Sequence, residues 1–249
     1  MENRRNAVVF DMDGVIFDSE RLVLECWEQL GREHALEDMR EVFLSCIGTN
    51  KVKTKEIVLA RYGQDFPYDR FSQMSSELFH RRAAQEGLPL KKGVRELLSC
   101  LSGQGVLLGL ASSTRLAVVR EELEEAGLLS LFQVVMGGDQ LRHSKPEPDI
   151  YLMTCEKMGV DPKETYAIED SYNGIRAAYR AGMKPVMVPD MLPPTDEMRE
   201  MSIEIFEDLT QVQQYLIQQF VVWKTTVQRS AGGIWTAHSG AAYRGSRRK

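Results

Sequence analysis

From residue 93 onward the sequence alternates between segments with helical periodicity and short apolar runs typical of strands. The helical spacing predicts helices over residues 94–101, 117–126, 150–158, 175–181 and 209–219, and the apolar runs predict strands over 106–111, 132–136, 166–168, 185–188 and 203–206. Such alternation is typical of a parallel sheet with helices on both faces. Ligands of these sheets bind beyond the carboxyl ends of the strands. The polar residues at those ends are therefore the first candidates for chemistry.

The first strand of the sheet comes much earlier, in the segment A-V-V-F-D-M-D-G that starts at Ala7. A run of four apolar residues bounded by acids fits a buried parallel strand. If the backbone stays extended, the carboxylates of Asp11 and Asp13 lean to the same side, and Gly14 then permits a turn. Two carboxylates this close repel each other, and a divalent cation would remove that cost.

Between the first strand and the alternating region the sequence is helical, most clearly over residues 19–32, 52–62 and 71–86, without a convincing strand. We therefore predict an inserted all-helical cap domain at residues 19–88 and an α/β core formed by residues 1–18 and 89–219. The chain crosses between the two at residues 18–20 and 87–92. We expect a hinge there that closes the cap and excludes water from the site.

The formal net charge of −5 provides no electrostatic footprint for nucleic acid. Residues 220–249 carry six basic residues and no acid, which leaves 25 basic against 36 acidic residues in the rest of the chain. An anionic substrate must therefore find a local positive site. This tail has neither helical nor strand periodicity, and its composition favours a disordered or non-native extension over a nucleic-acid or membrane arm.

The four cysteines are far apart and form no C-x-x-C pair, which argues against a zinc site and a redox pair. We interpret them as reduced, mostly buried thiols of a cytoplasmic protein. The apolar run after the N-terminal arginines stops at Asp11, too short for a signal-peptide core, and no segment approaches a membrane span. We expect a monomer that binds neither membrane nor nucleic acid.

Polar residues that could take part in catalysis or ligand binding follow four strands of the predicted sheet. They are Asp11 and Asp13, Ser112 and Ser113, Lys145 in the loop after the third strand, and Glu169 and Asp170. Each has a simpler explanation, because a strand-end acid or serine is commonly a turn or helix cap and a loop lysine is commonly solvated. Their coincidence at one edge of one sheet favours a phosphoryl-transfer site.

Four segments, F-D-M-D-G-V, L-A-S-S, S-K-P-E-P-D-I-Y and I-E-D-S-Y-N-G-I, resemble in order and spacing the motifs of the haloacid dehalogenase superfamily. The resemblance is to its branch of sugar-phosphate phosphatases and β-phosphoglucomutases, and it covers about residues 5–219. The helical block at 19–88 resembles the small cap of that branch. The resemblance implies a Rossmann-like, doubly wound parallel sheet with an inserted helical cap.

The resemblance also implies roles for the polar residues at this edge of the sheet. Asp11 is expected to be the nucleophile that forms an aspartyl-phosphate, and Asp13 the acid that protonates the leaving oxygen and later draws a proton from water. Ser112 is expected to donate its hydroxyl to the phosphoryl group, and backbone N–H groups near Met12, Gly14 and Ser113 to complete a cradle.

A phosphate monoester is a dianion, so an attacking carboxylate needs cations beside it. Mg²⁺ suits an all-oxygen site, and we expect Asp11, Asp170 and the backbone carbonyl of Asp13 to ligate it, with Glu169 nearby or acting through water. Lys145 would supply a second positive charge.

Two departures from the branch bear on the reaction. Mutases place a histidine on the first cap helix where this chain has Val23, and dehalogenases proper lack the second aspartate, which is present here as Asp13. Both favour hydrolysis of a small phosphate ester such as a sugar phosphate. A β-phosphoglucomutase-type isomerase and a phosphoaspartate binding switch remain alternatives.

Substrate specificity is harder to predict from the sequence. The segment Gly48-Thr49-Asn50-Lys51 resembles the loop that touches the substrate's non-reacting part, so Lys51 is a candidate for binding an anion. A solvated lysine on a helix face shared with Lys55 is the alternative.

Overall fold

A computed structural model describes residues 6–47, 49 and 51–231 of the chain, with side chains described through residue 220. Its sheet has six parallel strands in the order β3-β2-β1-β4-β5-β6. The strands are β1 (Ala7–Phe10), β2 (Leu107–Ala111), β3 (Val134–Met136), β4 (Thr165–Glu169), β5 (Lys184–Met187) and β6 (Glu204–Ile205). The predicted α/β fold with a doubly wound parallel sheet is confirmed.

The helices of the described residues fall into an inserted group and a group that alternates with the strands. The inserted helices are α1 (Ser19–Glu33), α2 (Met39–Cys46), α3 (Lys51–Tyr62) and α4 (Tyr68–Glu86). The others are α5 (Val94–Gly103), α6 (Leu116–Glu125), α7 (Asp149–Met158), α8 (Tyr172–Arg180), α9 (Asp196–Met201) and α10 (Leu209–Ala231). Three 3₁₀ turns, Leu129–Leu131, Gly138–Gln140 and Pro162–Glu164, complete the connections.

Strand β1 lies at the centre of the sheet, paired with β2 on one side and β4 on the other. All four of its residues are fully buried, which explains why the strand is apolar throughout rather than alternating. Helix α9 is missing from the sequence-based prediction. The sequence does contain a helix-start signal there, the N-cap residue Thr195, whose side chain accepts a hydrogen bond from the Met198 N–H.

The inserted helices α1–α4 surround their own apolar cluster, in which Trp27 meets Phe43 and Phe71 edge to face at ring distances of 5.3 and 5.1 Å. Two backbone hydrogen bonds tie together the chain segments that enter and leave this group. The Asp18 N–H donates to the Pro89 carbonyl, and the Lys91 N–H to the Ile16 carbonyl. The two crossings are therefore adjacent, as a hinge requires.

Helix α10 continues to Ala231, beyond residue 219 where the sequence-based prediction ends it. The helical backbone therefore extends into the segment that we predicted to lack regular structure, and the part of that segment from residue 232 lies outside the described residues. One compact unit of the chain ends at Gln213 and a second begins at Gln214. Within the described residues, no helix combines the length and the apolar character that crossing a membrane requires.

All four cysteines are free thiols. Cys26, Cys46 and Cys155 are buried, and Cys100 is half-buried. This agrees with the interpretation of mostly buried, reduced cysteines.

Candidate active site

The register of the three central strands brings the predicted site residues to one level. Phe10 of β1 pairs with Leu110 of β2 and with Ile168 of β4. The residues that follow these three positions, Asp11, Ala111 and Glu169, therefore stand side by side at the carboxyl edge. Hydrogen bonding continues this register, since the Asp11 N–H donates to the Ile168 carbonyl at 2.9 Å.

The side chain of Lys145 reaches this edge from the loop before α7 and is buried there. Its ammonium donates to Asp11 Oδ1 at 2.5 Å, to Glu169 Oε1 at 2.6 Å and to the Ala111 carbonyl at 3.0 Å. An ammonium has three N–H bonds, so all of them are engaged. Burial lowers the pKa of Lys145, but the two carboxylates outweigh burial and raise it overall, which keeps the lysine charged.

Glu169 is completely buried, and both of its carboxylate oxygens are engaged. Oε1 accepts from Lys145 and from the Tyr151 hydroxyl, the latter at 2.6 Å. Oε2 accepts from the backbone N–H groups of the next two residues, at 3.2 and 3.3 Å, and from Ser171 Oγ at 3.1 Å. A β-carbon at Gly174 would lie 1.9 Å from this carboxylate, so only glycine leaves room for it.

Asp170 differs from its neighbour, because no hydrogen bond or ion pair in the described part of the chain engages its carboxylate. Burial raises the pKa of Asp170 well above its usual range, and the charges of Glu169 and Asp11 raise it further. Burial likewise raises the pKa of Asp11 to about 8, against the opposing effect of Lys145. Such shifts mark a site that is short of positive charge.

Carboxylate oxygens of Asp11, Glu169 and Asp170 all lie within 4.8 Å of one another. Oxygen donors at this spacing match the preference of Mg²⁺, and Asp170 is a half-buried acid without a cationic partner among the described residues. The residues present therefore fit a divalent cation.

The carboxylate of Asp13 points to hydroxyl groups instead of to this cluster. Oδ1 accepts from Ser19 Oγ at 2.8 Å, at the start of the inserted helices, and Oδ2 accepts from Thr114 Oγ1 at 3.0 Å. Neither hydroxyl was among the predicted site residues. Both follow directly on predicted motifs, Asp18 and the two serines, but nothing in the pattern indicates their direction.

Gly14 has a positive φ of 82°, and a β-carbon there would lie 2.3 Å from Asp170 Oδ2. The predicted requirement for glycine is thus confirmed and has a second cause, the approach of Asp170. The Gly14 N–H donates to the Phe17 carbonyl at 2.8 Å. The turn itself uses this donor in the structure, and a phosphate cradle near Gly14 stays a prediction.

Ser112 is completely buried, and its Oγ accepts from the Thr114 N–H at 3.0 Å, which leaves the hydroxyl proton available for a ligand. Ser113 is exposed and lines a cavity of about 490 Å³ next to Lys145 and Asp170. Glu20, Ile47 and Thr49 from the inserted segment also line this cavity.

The structure does not bring Lys51 to this cavity. It is exposed at the start of α3 and lines a separate surface depression together with Lys55 and Tyr68. Of the segment predicted to contact substrate, Thr49 reaches the cavity wall, while residues 48 and 50 lie outside the described residues.

A second group of acidic residues borders the cavity, and two of its members, Glu20 and Asp190, were not among the predicted site residues. Carboxylate oxygens of Glu20, Asp170 and Asp190 lie within 4.8 Å of one another, and Asp190 is paired with Lys91 at 2.5 Å. Burial raises the pKa of Glu20 to about 7, with a further contribution from Asp190. The site thus places more negative charge around the cavity than its two lysines offset.

This charge predicts a pH-dependent effect of Glu20→Gln on stability. Because the native state raises the pKa of Glu20 from 4.5 to about 7, it retains a proton that the unfolded chain releases, so the free energy of unfolding falls as the pH rises through that window. In EDTA we expect the variant to match the parent near pH 4, below the unfolded pKa, and to exceed it by about 1–3 kcal/mol at pH 8.

Urea denaturation at both pH values measures this difference. Glu33→Gln, at the exposed end of the same helix, is the matched control and should change stability by less than about 0.5 kcal/mol at either pH. Equal stability of Glu20→Gln and parent at pH 8 would contradict the conclusion that burial and the nearby acids disfavour an ionised Glu20 in the folded protein.

Fold and site together define a class of protein: α/β proteins with a parallel sheet in which carboxylates and one lysine meet at the carboxyl edge of the strands. A family model described as haloacid dehalogenase-like hydrolase matches residues 8–188. The chain belongs to this family and is a hydrolase of it.

Relatives and solved structures agree with that assignment. Hexitol phosphatase B of Escherichia coli is 32% identical over 189 residues, which is 74% of this chain and 83% of that protein. A phosphorylated carbohydrates phosphatase of Thermotoga maritima is 30% identical over 180 residues, 72% of this chain and 83% of that protein. A β-phosphoglucomutase of Bacillus subtilis is 29% identical over 190 residues, 73% of this chain and 82% of that protein.

Among crystal structures, a HAD family hydrolase from Deinococcus radiodurans with bound phosphate and sodium superposes with a TM-score of 0.73 at 24% identity. The match covers 87% of this chain and 97% of that one. At this identity the similarity demonstrates the fold.

Proposed function

We propose that the chain is a Mg²⁺-dependent phosphatase that hydrolyses a small phosphorylated metabolite, a sugar phosphate, through an aspartyl-phosphate intermediate. The observation that carries the proposal is the pairing of Asp11 with the buried Lys145 at 2.5 Å, beside an Asp170 that lacks any cationic partner among the described residues. A carboxylate so placed can attack phosphorus only where positive charge offsets both reactants.

In this proposal Asp11 and Asp170 ligate Mg²⁺, which offsets negative charge on the transferring phosphoryl group when it is bound. The backbone carbonyl of Asp13 is the third protein ligand that we propose. Glu169 acts indirectly, because five donors already engage its two oxygens. Its part is to orient Lys145.

The proposed reaction has two steps. Asp11 attacks the phosphorus and forms an O–P bond, while the ester P–O bond breaks and Asp13 gives its proton to the leaving oxygen. Asp13 then takes a proton from a water molecule, which attacks the phosphorus and releases inorganic phosphate and the free Asp11 carboxylate. Ser112 donates a hydrogen bond to the phosphoryl oxygens throughout.

We further propose that α1–α4 act as a cap that closes over the cavity about the adjacent crossings near Asp18 and Pro89. The hydrogen bond from Ser19 to Asp13 supports this, since it links the first inserted helix to the acid–base residue. We propose that the enzyme works as a cytoplasmic monomer on a small-molecule ester, without nucleic-acid or membrane partners.

The substrate class rests on the relatives and on the cavity. Two relatives are named as phosphatases of a hexitol and of phosphorylated carbohydrates. A cavity of about 490 Å³ that contains polar side chains such as Glu20, Thr49 and Asn173 suits the hydroxyl groups of a compact polyol or sugar.

The test is release of inorganic phosphate from a panel of sugar and polyol phosphates. We expect turnover with Mg²⁺ and a loss of about 100-fold or more in EDTA, since the cation supplies several kcal/mol of charge stabilisation. A folded sample that releases no phosphate from a broad panel, or is indifferent to chelator, contradicts the proposal.

A phosphosugar mutase is the second candidate, favoured by the relative from B. subtilis. It predicts conversion of β-glucose 1-phosphate to glucose 6-phosphate, stimulated by a bisphosphate, with little inorganic phosphate. Val23 in place of the cap histidine favours hydrolysis. Product analysis of the same reaction decides between the two.

A further inference from the structure

We propose that Tyr151 is a positioning residue of this site, which acts through Glu169 to hold the ammonium of Lys145 beside Asp11. The inference rests on the proposed phosphatase function and extends it to a residue outside the predicted site set. It starts from two hydrogen bonds that meet at one atom, Glu169 Oε1.

The Tyr151 hydroxyl donates to this oxygen at 2.6 Å, and the Lys145 ammonium donates to the same oxygen at 2.6 Å. Tyr151 is completely buried, so water does not compete for the hydroxyl. Hydrogen bonds to a buried carboxylate are short and strong, and they fix the direction of the carboxylate. Together with the donors to Oε2, the hydroxyl thereby helps to fix where Glu169 presents Oε1 to the lysine.

The ring of Tyr151 makes a second contact with the same lysine. Its centroid lies 5.1 Å from Lys145 Nζ, within the range of a cation–π interaction. The ammonium is thus bounded by Asp11, Glu169, the Ala111 carbonyl and this ring. Tyr151 touches neither Asp11 nor the cavity wall in any contact described, so its effect on the reaction must pass through Glu169 and Lys145.

Local sequence explains how one segment supplies both partners. Lys145 and Tyr151 lie six residues apart in K-P-E-P-D-I-Y, with the lysine in the loop and the tyrosine in the first turn of α7. Glu169, the last residue of β4, accepts a hydrogen bond from each of them. The three residues thus come from a loop, a helix and a strand. Without these contacts, the position of the lysine ammonium would depend on a flexible side chain in a loop.

The variant Tyr151→Phe tests the hydroxyl alone, because the ring and its cation–π contact remain. We expect kcat for phosphate release to fall about tenfold, with KM changed less than about twofold, since the lost interaction positions a group that acts on the transferring phosphoryl. The matched control is Tyr166→Phe on β4, whose ring also lies near a lysine ammonium, Lys184, at 5.2 Å. It should leave kcat unchanged.

A double-mutant cycle distinguishes positioning from a general structural effect. If Tyr151 acts through Glu169, the double variant Tyr151→Phe/Glu169→Gln should be no more than about twofold slower than Glu169→Gln alone. Multiplicative loss in the double variant, or an unchanged kcat in Tyr151→Phe, overturns the proposal. Because the parent's own turnover is measured first, a failure of the phosphatase function is seen separately.

An NMR measurement on the parent protein keeps the proposal testable even if Tyr151→Phe does not fold. A buried hydroxyl hydrogen-bonded to a carboxylate should give a slowly exchanging, downfield proton resonance on a tyrosine ring. The resonance should move upfield or vanish in Glu169→Gln and persist in the Tyr166→Phe control. A parent spectrum without it contradicts the proposed hydrogen bond.

Discussion

The Asp11→Asn variant is expected to lose phosphate release by about 10⁴-fold or more while its metal-free form becomes more stable than the parent. The loss of activity follows because an amide cannot serve in the nucleophile role that we propose for Asp11. The gain in stability follows from burial, which raises the pKa of Asp11 to about 8 and so makes its ionised form unfavourable in the folded protein.

The sign of the stability effect follows from linkage. A carboxyl group whose pKa is raised on folding costs stability once the pH exceeds its unfolded value, and asparagine removes that cost. We expect an increase of about 1–3 kcal/mol in EDTA at pH 8, measured by thermal or urea denaturation. Asp65→Asn, an exposed loop acid of the inserted segment, should change neither stability nor rate.

Turnover and stability of Asp11→Asn separate two ways in which the proposed role of Asp11 can fail. Retained turnover in Asp11→Asn contradicts the nucleophile role. Lost turnover together with a large loss of stability would instead show that Asp11 holds the fold together, as an ordinary buried ion pair does when one partner is removed.

The sequence predicted the sheet, and it predicted that the site residues meet at the carboxyl edge of the strands, because both features depend on local patterns. Four apolar residues at β1 require burial on both faces, and parallel pairing in register then brings Asp11 next to Glu169. The co-location of Lys145 also followed, since the loop before α7 must cross the same edge. Positive φ at Gly14 was foreseeable from the turn that follows two crowded acids.

The direction of individual hydrogen bonds could not be predicted in this way. Ser19, Thr114 and Tyr151 belong to residue types that are common in loops and helix starts, and only the folded chain aims their hydroxyls at Asp13 and Glu169. The pairing depends on side-chain direction, which spacing along the chain does not encode.

Contacts between segments that are distant in the chain could not be predicted from the sequence either. Glu20 lies on the first inserted helix and Asp190 follows β5, so no local pattern connects them. Their carboxylate oxygens nevertheless lie within 4.8 Å of each other and of an Asp170 oxygen. Conversely, Lys51 lies next to the predicted substrate loop in sequence but at the surface of α3 in space. A helix start turns successive side chains by about 100°, so neighbours in sequence face different surroundings.

The Lys145→Met variant should show the opposite effect on stability from Asp11→Asn. Removing the ammonium leaves two buried carboxylates, Asp11 and Glu169, without their shared cation, and breaking a buried ion pair in this way costs about 3–5 kcal/mol. Phosphate release should fall by about 10³-fold or more, because a positive charge beside the proposed nucleophile is lost.

The matched control is Lys184→Met. Lys184 has the same kinds of partner as Lys145, a tyrosine ring at 5.2 Å and a glutamate at 3.3 Å, but its side chain is 35% exposed whereas that of Lys145 is 7% exposed. Water screens such a pair, so Lys184→Met should cost less than about 1 kcal/mol.

The double variant Lys145→Met/Asp11→Asn connects the two predictions. With one of the two stranded carboxylates neutralised, it should be more stable than Lys145→Met alone, although equally inactive. Mg²⁺ should also raise the melting temperature of Lys145→Met by more than it raises that of the parent, because the ion replaces a missing charge among the same oxygens. If neither neutralisation nor Mg²⁺ restores stability, the buried lysine contributes packing rather than charge, and the electrostatic account of the site is wrong.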